Sequence, residues 1–349
     1  MPSILLTKHP SLTGFKYSSV QDYFKKFVDS ATEFNVATGF ISNEAIATLQ
    51  QIVAFKSGKM KLNLFIGMHY VSGFTRIQYK AIKELNDFLN DAKCGNIYLS
   101  PHALFHGKMY SFFHDNDCLG GFIGSSNLGS FVGEDPNYVE TDALFVGEEG
   151  VFVNQGISNV IQCLGKNFVD LPPLMEFIEP DSKLLQSYHY VTEVNEKELK
   201  TIKNSRTDRG TYIVLKSEPF SNLNTYFGAG KVKDRYSPRG WYEVELIIGK
   251  RDPAMEQIPT EYPITVVTND GYKFQCKRQG TNFKNFRSSN DLKILGRWIK
   301  GQMENEGALE IGKPVTEGVL QEFGKGRIFL EETTVLDDAG HNIWYISLR

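Results

Sequence analysis

The chain has 349 residues, of which 41% are apolar and 13% aromatic, with 38 basic against 41 acidic side chains. This length predicts about two domains with packed cores, which excludes wholesale disorder. Four cysteines without a C-x-x-C pair are too few for a disulfide scaffold. The first residues are not those of a signal peptide, and no apolar run reaches the ~18 residues that span a bilayer. We therefore expect a cytoplasmic protein with reduced thiols.

Basic residues are concentrated in one part of the chain. Residues 228–300 contain 14 Lys and Arg against 8 Asp and Glu, whereas the remainder contains 24 against 33. A local positive excess of this kind indicates a surface that binds nucleic acid. An ordinary solvated surface remains the alternative on charge alone.

The first part of the chain alternates between helical and strand patterns. Apolar spacing predicts helices over residues 19–34, 42–52, 75–92 and 151–163, and strands over 35–38, 62–66, 96–99, 108–113, 119–123 and 140–146. Strand, helix and strand at this rhythm indicate βαβ units and a sheet covered by helices. We predict an α/β (α+β) domain over residues 1–180.

The pattern changes after a proline-rich segment. Residues 170–180 contain three prolines, so we predict the domain boundary there or just after. The polar stretch 192–209 that follows indicates a linker helix plus loop, and we place the linker at residues 181–205. Beyond it, short alternating runs separated by turn residues predict a β-rich barrel or pseudobarrel over residues 206–349. Trp241 and Trp298 are expected to anchor its core.

The candidate chemistry lies between residues 105 and 140. His106 and Lys108 are two residues apart, so on an extended strand both side chains lie on one face. The run Gly124-Ser125-Ser126-Asn127 ends the next strand, where a glycine and two serines allow the backbone to approach an anion closely. Glu140 precedes a further apolar strand.

These residue types suit the cleavage of a phosphodiester without a metal ion. A histidine ring nitrogen can attack phosphorus, while lysine and asparagine bind the non-bridging oxygens and stabilise the transition state. A carboxylate can bind the other ring N–H and orient the imidazole. Two such histidines on opposite sides of a phosphate can divide the work, one as the nucleophile and the other as the acid that protonates the leaving oxygen.

The same residues resemble the signature of the phospholipase D (PLD) superfamily, H-x-K followed by G-S/G-x-N and often an acidic residue. The resemblance implies that His106 forms a phosphohistidine. It also implies that Lys108, Asn127 and Ser125 bind the phosphate. Glu140 would orient His106.

One position departs from that signature, and the motif occurs once. The aspartate that usually follows the lysine by five residues is Phe113 here, and Asp115 and Asp117 are out of register. Several nucleases of the superfamily also lack this aspartate, so the departure weighs against a lipase. A single motif resembles the nucleases that dimerise to complete one site, which implies a homodimer.

The second half resembles NgoFVII-type restriction endonucleases, in which a B3-like DNA-binding pseudobarrel follows a PLD-like nuclease domain. The resemblance rests on residues 237–244 (SPRGWYEV), 268–274 (TNDGYKF), 284–288 (KNFRS) and 295–301 (LGRWIKG). Two arms of such a domain can enter the major groove, where base edges differ between base pairs. The candidate DNA-binding residues are Lys231, Lys233, Arg235 and Arg239 in one arm and Lys277, Arg278, Gln279, Asn282, Lys284, Asn285 and Arg287 in the other.

We therefore predict a site-specific DNA endonuclease that acts on double-stranded DNA without a metal or cofactor. His102 and His106 are four residues apart, but Pro101 and the strand pattern around them argue against the helix that a zinc site of this spacing needs. No Walker motif is present. The resemblance implies a cognate methyltransferase and leaves room for a helicase-like ATPase subunit. Two alternatives stay open: a phospholipase or phosphatidyltransferase, and a DNA-binding protein whose nuclease domain is silent until an ATP-dependent subunit acts.

Overall fold

The computed structural model of the chain describes residues 2–57, 59–132, 138–186, 188–228, 231–232, 235–236 and 238–349. Its internal contacts divide the chain into two units. The first comprises residues 1–180 and 230–238, and the second comprises residues 181–229 and 239–349. Each unit is described by itself below.

The first unit alternates strands with helices. Its strands are β1 (Ser3–Leu6), β2 (Glu33–Thr38), β3 (Lys61–Ile66), β4 (Gly95–Leu99), β5 (Lys108–His114), β6 (Asp117–Gly124), β7 (Thr141–Phe145) and β8 (Lys166–Asn167). Its helices are α1 (Val20–Ser30), α2 (Asn43–Phe55), α3 (His69–Ser72), α4 (Arg76–Asp91), α5 (Gly129–Val132) and α6 (Glu148–Leu164). The predicted α/β pattern is confirmed, although the first helix is shorter than predicted.

Hydrogen bonds at the helix ends explain these boundaries. The side chains of Ser19, Ser42 and Thr75 each accept a backbone N–H from the first turn of α1, α2 and α4, respectively. Helix α1 ends at Ser30 because the chain turns into the sheet, where the N–H of Thr32 already donates to the carbonyl of Phe113 at 2.8 Å.

The strands form one mixed sheet in the order β1-β7-β6-β5-β2-β3-β4-β8. Strands β2, β3 and β4 run parallel, as the βαβ pattern predicts, and β5, β6 and β7 are antiparallel neighbours. Strand β2 also pairs with β5 in antiparallel orientation. The start of β5 therefore lies beside the end of β2 and the end of β6.

Both faces of this sheet are covered by apolar side chains. On one face, the Phe24 ring of α1 packs against the Phe34 and Phe112 rings of the sheet, and the Phe131 ring of α5 packs against Phe122, with centroid distances between 5.7 and 6.0 Å. On the other face, α6 buries its apolar side chains against β2 and β3. This covered sheet is rigid enough to hold the residues at its end in fixed positions.

The second unit is rich in strands. Its strands are β9 (Thr192–Glu193), β10 (Arg206–Val214), β13 (Leu246–Ile247), β14 (Ile264–Thr268), β15 (Tyr272–Gln279), β16 (Asn285–Ser288), β17 (Arg327–Leu336) and β18 (Asn342–Leu348). Two short strands that pair with each other, β11 (Lys231–Val232) and β12 (Arg235–Tyr236), group with the first unit. The helices of the second unit are α7 (Glu196–Asn204), α8 (Ala254–Gln257), α9 (Lys293–Asn305) and α10 (Glu317–Phe323). The main sheet has the order β10-β17-β18-β14-β15-β16-β13, and β9 pairs with β15.

The core of the second unit is anchored as predicted. Trp241 and Trp298 are fully buried. Glu304 of α9 accepts hydrogen bonds from the indole of Trp241 at 2.5 Å and from the hydroxyl of Tyr242 at 2.8 Å. Lys300, one turn earlier on the same helix, lies 3.1 Å from the centroid of the Trp241 ring. Lys300 and Glu304 are one helical turn apart, so α9 presents both side chains to Trp241 from the same face.

The stretch predicted as a linker is instead a folded part of the second unit. Strand β9 pairs with β15, and Ile202 of α7 is buried against Val267, Ile343 and Tyr345. Apolar residues at helical spacing, Leu199 and Ile202, drive this docking. Within the residues described above, no helix is long and apolar enough to cross a membrane.

Candidate active site

The strand register brings the separate sequence motifs to one end of the first sheet. Lys108 at the start of β5 is the Cα partner of Thr38 at the end of β2. The next residue of β5, Met109, pairs with Ile123 of β6, and Gly124 pairs with Asp142 of β7. The H-x-K residues and the G-S-S-N turn therefore meet, because β5 begins where its two antiparallel neighbours end.

His106 and Lys108 are in direct contact. The Lys108 ammonium donates to the backbone carbonyl of His106 at 2.9 Å and lies 3.3 Å from Nε2 and 3.4 Å from Nδ1 of the imidazole. His106 is exposed, whereas only 7% of Lys108 is exposed. The arrangement is an accessible imidazole beside a buried positive charge, which can attract an anionic substrate to the ring.

The pKa of Lys108 is affected by burial and by one carboxylate, that of Glu140. Burial lowers the pKa of Lys108, and the negative charge of Glu140 acts in the opposite direction. Glu140 is placed by the segment after β1, because its N–H donates to Thr7 Oγ1 at 2.9 Å and its carbonyl accepts from the Thr7 N–H at 3.1 Å.

The predicted link between Glu140 and His106 is not present as a hydrogen bond. Within the described part of the chain, the imidazole has its side-chain hydrogen bonds with Lys108 alone. Glu140 instead acts on Lys108, Tyr110 and Asp142 through its charge. The role of Glu140 in orienting His106 therefore stays a prediction.

The two serines of the G-S-S-N turn have different surroundings. Ser125 is exposed, and its hydroxyl accepts the N–H of Thr141 at 3.0 Å. Ser126 is buried; its hydroxyl donates to Asp142 Oδ2, and its carbonyl accepts the hydroxyl of Tyr110 at 2.9 Å. Ser126 therefore anchors the turn, while Ser125 faces solvent at the end of the sheet.

Asn127 is placed by the same turn. Its carbonyl accepts the N–H of Ser130 at 2.9 Å, which starts the short helix α5. Its Oδ1 atom is buried and has no hydrogen-bond partner among the residues that the structure describes. Because Oδ1 is an acceptor, a phosphate oxygen would have to be bound by the Nδ2 group of the same amide.

Asp142 is a residue of this site that the motif analysis missed. It is fully buried directly beneath the turn, and burial raises its pKa, against the lowering effect of the hydrogen bonds from Ser126. The sequence does contain a sign of this residue. Asp142 lies two residues before Leu144, so it occupies an inward-facing position of an otherwise apolar strand, where a carboxylate is unusual.

Among the described residues, at this site or away from it, no group of three or more His, Cys, Asp or Glu side chains is arranged to hold a metal ion. The site described here consists of an imidazole, an ammonium, an amide, a hydroxyl and a nearby carboxylate. Such a set can supply a nucleophile and donors to phosphate oxygens from protein groups.

In the second unit, the predicted second arm is the hairpin of β15 and β16. Lys277 pairs with Arg287 and Gln279 with Asn285, so these four side chains lie on one face of the hairpin. The Arg287 guanidinium donates to Glu245 Oε1 at 2.6 Å and also to Gln279 Oε1. Exposed Asn282 and Lys284 lie in the connecting loop, where Asn282 has a φ of 57°.

Arg278, which we predict to bind DNA, is buried in the structure. Only 5% of this residue is exposed, and its guanidinium donates to the carbonyls of Met255 at 2.7 Å, Ile258 at 2.9 Å and Phe283 at 2.8 Å. Arg278 shares the inward face of β15 with Phe274 and Cys276 because alternate residues of a strand point to the same side. It holds the surrounding loops together.

The predicted first arm is described only in part. The backbones of Lys231 and Arg235 belong to the paired strands β11 and β12. Their side chains, and the whole of Lys233, lie outside the described residues. Arg239 lies 3.7 Å from the Glu243 carboxylate. DNA contacts by these residues stay predictions.

The chain matches two family models. The NgoFVII restriction endonuclease N-terminal PLD domain matches residues 18–149, and the NgoFVII C-terminal B3-like DNA-binding domain matches residues 190–334. The two models describe one family and together match well over half of the 349 residues. No curated protein sequence matches the chain.

Solved structures with a similar fold have low sequence identity. Nuc, a phospholipase D family member from Salmonella typhimurium, is 16% identical over 48% of this chain and 99% of its own, with a TM-score of 0.33. NucT from Helicobacter pylori is 14% identical over 48% of this chain and 99% of its own, with a TM-score of 0.30. Phosphatidylserine synthase from Haemophilus influenzae is 14% identical over 58% of this chain and 46% of its own, with a TM-score of 0.36.

These TM-scores are low, so the assignment rests on the two family models. The models confirm the resemblance seen in the motifs and the predicted fold class. The chain therefore belongs to the NgoFVII family of restriction endonucleases, and it is a DNA endonuclease with an α/β PLD domain followed by a β-rich, B3-like DNA-binding domain.

Proposed function

We propose that the protein hydrolyses phosphodiester bonds of double-stranded DNA through a phosphohistidine at His106, without a metal ion, at sites chosen by the B3-like domain. The observation that carries the proposal is the exposed imidazole of His106 with the buried Lys108 ammonium 3.3 and 3.4 Å from its two ring nitrogens. A cytoplasmic location is part of the proposal.

The first step is the attack of a His106 ring nitrogen on phosphorus. A P–N bond forms, the bond to the leaving oxygen breaks, and a histidine on the opposite side protonates that oxygen. Lys108 and the Asn127 amide bind the non-bridging oxygens, where charge develops in the transition state. Ser125, exposed beside them, is a further donor to the phosphate.

The second step regenerates the enzyme. The histidine that gave up its proton now accepts one from water, and the oxygen of that water attacks phosphorus. The P–N bond breaks, and the 5′- or 3′-phosphate leaves His106 with its electron pair restored. The balance needs one water molecule per bond cleaved and no metal-bound hydroxide.

The opposite histidine is the His106 of a second copy of this chain. Several apolar side chains near the site are exposed: Phe40 by 37%, Val139 by 44% and Leu104 by 60%. Leu104 is two residues from His106, Val139 is adjacent to Glu140, and Phe40 contacts His106. Exposed apolar side chains around a polar centre are typical of a protein interface.

His106→Ala tests the nucleophile. We expect DNA binding to be retained and cleavage to fall by more than about 10³-fold. His114→Ala is the matched control, because His114 is exposed at the far end of the same strand. Cleavage by the His106→Ala protein at the wild-type rate would disprove the assignment. Complete loss of wild-type cleavage in excess EDTA would point to a metal mechanism instead.

Mixing of subunits tests the shared site. Wild-type and His106→Ala chains are allowed to exchange, and cleavage is measured against the wild-type fraction. A site completed by two histidines gives activity that follows the square of this fraction, whereas independent sites give a straight line. Repeating the assay with a helicase-like ATPase subunit and ATP separates a conditional nuclease from a constitutive one.

A further inference from the structure

Phe40 lies between two histidines at the end of the first sheet. Its ring centroid is 5.8 Å from that of His106, with the planes at 76°, and 5.3 Å from that of His69, with the planes at 88°. His106 is exposed, whereas only 7% of His69 is exposed. The phenyl ring thus contacts the imidazole to which we assign the chemistry and a second imidazole that the mechanism does not use.

The backbone on both sides of Phe40 is held by hydrogen bonds. Thr38 Oγ1 donates to the Phe40 carbonyl at 3.1 Å, and the N–H of Met68 donates to the Gly39 carbonyl at 3.0 Å. The N–H of Ile41 donates to Nε2 of His69 at 3.0 Å. Phe40 is therefore a partly exposed side chain on a fixed backbone, which is unusual for an apolar residue in a loop.

His69 is held through both ring nitrogens. Nε2 lies 3.0 Å from the Ile41 amide nitrogen and 3.1 Å from the Ile41 carbonyl, and Nδ1 lies 3.0 Å from the Gly73 carbonyl. The ring stacks on the buried Phe74 at a centroid distance of 4.6 Å. Burial also lowers the pKa of His69. A buried imidazole with contacts at both ring nitrogens thus supports the loop that carries Phe40.

Gly39 allows this loop to reach His106. A Cβ atom on residue 39 would lie 3.1 Å from His106 Cα and 3.2 Å from His106 Cδ2. There is therefore no room for a side chain at residue 39 beside the His106 imidazole, which also faces the Phe40 ring and the Lys108 ammonium. In the described part of the chain, a phenyl ring stands against it and no carboxylate binds it.

We propose that Phe40 is a positioning residue for the His106 nucleophile, and that His69 holds Phe40 in place. The inference rests on the proposed function, since it assigns the group that restricts the imidazole during attack on phosphorus. Rotation of the imidazole about χ2 swings its nitrogens out of line with the P–O bond. A ring fixed beside it limits this rotation, and in-line geometry is what makes the attack fast.

The test compares Phe40→Leu, Phe40→Met and Phe40→Tyr in single-turnover DNA cleavage by the full chain. We expect the leucine and methionine proteins to cleave about 10- to 100-fold more slowly, at unchanged Kd for DNA, because they lack the flat ring. The tyrosine protein keeps the ring and is expected to cleave near the wild-type rate. Phe152→Leu is the control, since Phe152 is 68% exposed on α6.

The outcomes separate this inference from the proposed function. Cleavage at the wild-type rate by either ring-less variant overturns the positioning role, as does a tyrosine protein as slow as the leucine protein. A rate loss matched by a weaker Kd also overturns it, because the residue then acts in binding. His106→Ala is measured alongside: if that protein still cleaves, the proposed nucleophile itself is wrong.

His69→Phe provides an independent arm. It keeps an aromatic ring but removes the polar contacts of the two ring nitrogens with the backbone of Ile41 and Gly73. If His69 acts through Phe40, the His69→Phe rate falls, and combining it with Phe40→Leu lowers the rate no further than Phe40→Leu alone. Additive losses in the double variant would show that the two residues act separately.

Discussion

Gly124 of β6 and Asp142 of β7 face each other so closely that the carboxylate occupies the place of a side chain at residue 124. A Cβ atom there would lie 2.3 Å from Asp142 Oδ1 and 2.3 Å from the Thr141 carbonyl. The first residue of the G-S-S-N motif must therefore be glycine for a structural reason, in addition to any contact with phosphate. The turn that bears Ser125 and Asn127 starts directly after it.

Gly124→Ala is expected to destabilise the first unit and to abolish cleavage. The added methyl group collides with Asp142 Oδ1 and with backbone, so strands β6 and β7 must separate, at a cost of about 1–3 kcal/mol. Urea unfolding and DNA cleavage measure the two effects. Gly326→Ala is the control, because nothing lies within 4 Å of a Cβ atom there. Equal stability of the two variants would contradict the close approach.

Asp142→Asn should change how stability depends on pH. Burial raises the pKa of Asp142, so its contribution to stability is fully present below its ordinary value of 3.8 and is lost as pH rises through the higher folded-state pKa. Asparagine does not ionise and still accepts the Ser126 hydroxyl bond. The asparagine variant should therefore gain stability relative to wild type as pH rises from 4 to 8, measured by chemical unfolding at each pH. A constant difference would show that Asp142 is not perturbed.

Glu140→Gln should move the alkaline limb of the pH–rate profile. Lys108 must be protonated to bind phosphate; burial lowers its pKa, and the Glu140 charge raises it. Removing that charge lowers the pKa of Lys108 further, so cleavage is lost at a less alkaline pH. The profile of kcat/KM against pH measures this shift. Glu148→Gln, at an exposed position in the first turn of α6, should leave the limb where it is.

Arg278→Met should lower the stability of the protein, whereas Lys284→Ala should lower its affinity for DNA. Arg278→Met leaves three carbonyls without their donor and should lower the unfolding free energy by about 3 kcal/mol. Lys284 is exposed in the hairpin loop, so its loss should leave stability unchanged. It should also weaken DNA binding and reduce the slope of log K against log salt by about 1. A stable Arg278→Met protein with altered DNA affinity would contradict the structural role.

Much of the local structure follows from sequence patterns. Ser19, Ser42 and Thr75 are caps because hydroxyl side chains satisfy the free N–H groups of a first helical turn. The inward position of Arg278 also follows from strand alternation, since it shares a face with Phe274 and Cys276. The prediction of a DNA contact for Arg278 rests on its place in a candidate arm and on its residue type, and neither takes the period of the strand into account.

The helix in the stretch predicted as a linker shows where local patterns are insufficient. Its polar composition is typical of a connection, yet Leu199 and Ile202 dock on the second sheet. Whether a weakly amphipathic helix packs or stays solvated depends on the surface that is available to it. That surface is built by strands β14 and β18, more than 60 residues later in the chain.

The sequence alone specifies which residue types serve phosphodiester chemistry and that they lie at strand ends. His106, Lys108 and Asn127 are recognisable because few side chains can attack phosphorus or bind phosphate oxygens. The neighbours of the imidazole were decided by the tertiary structure. Antiparallel pairing of β2 with β5 brings Phe40 to His106, and the turn after β3 brings His69 against the Phe40 ring. Contacts between distant segments depend on strand order in the sheet, which residue spacing along one strand does not encode.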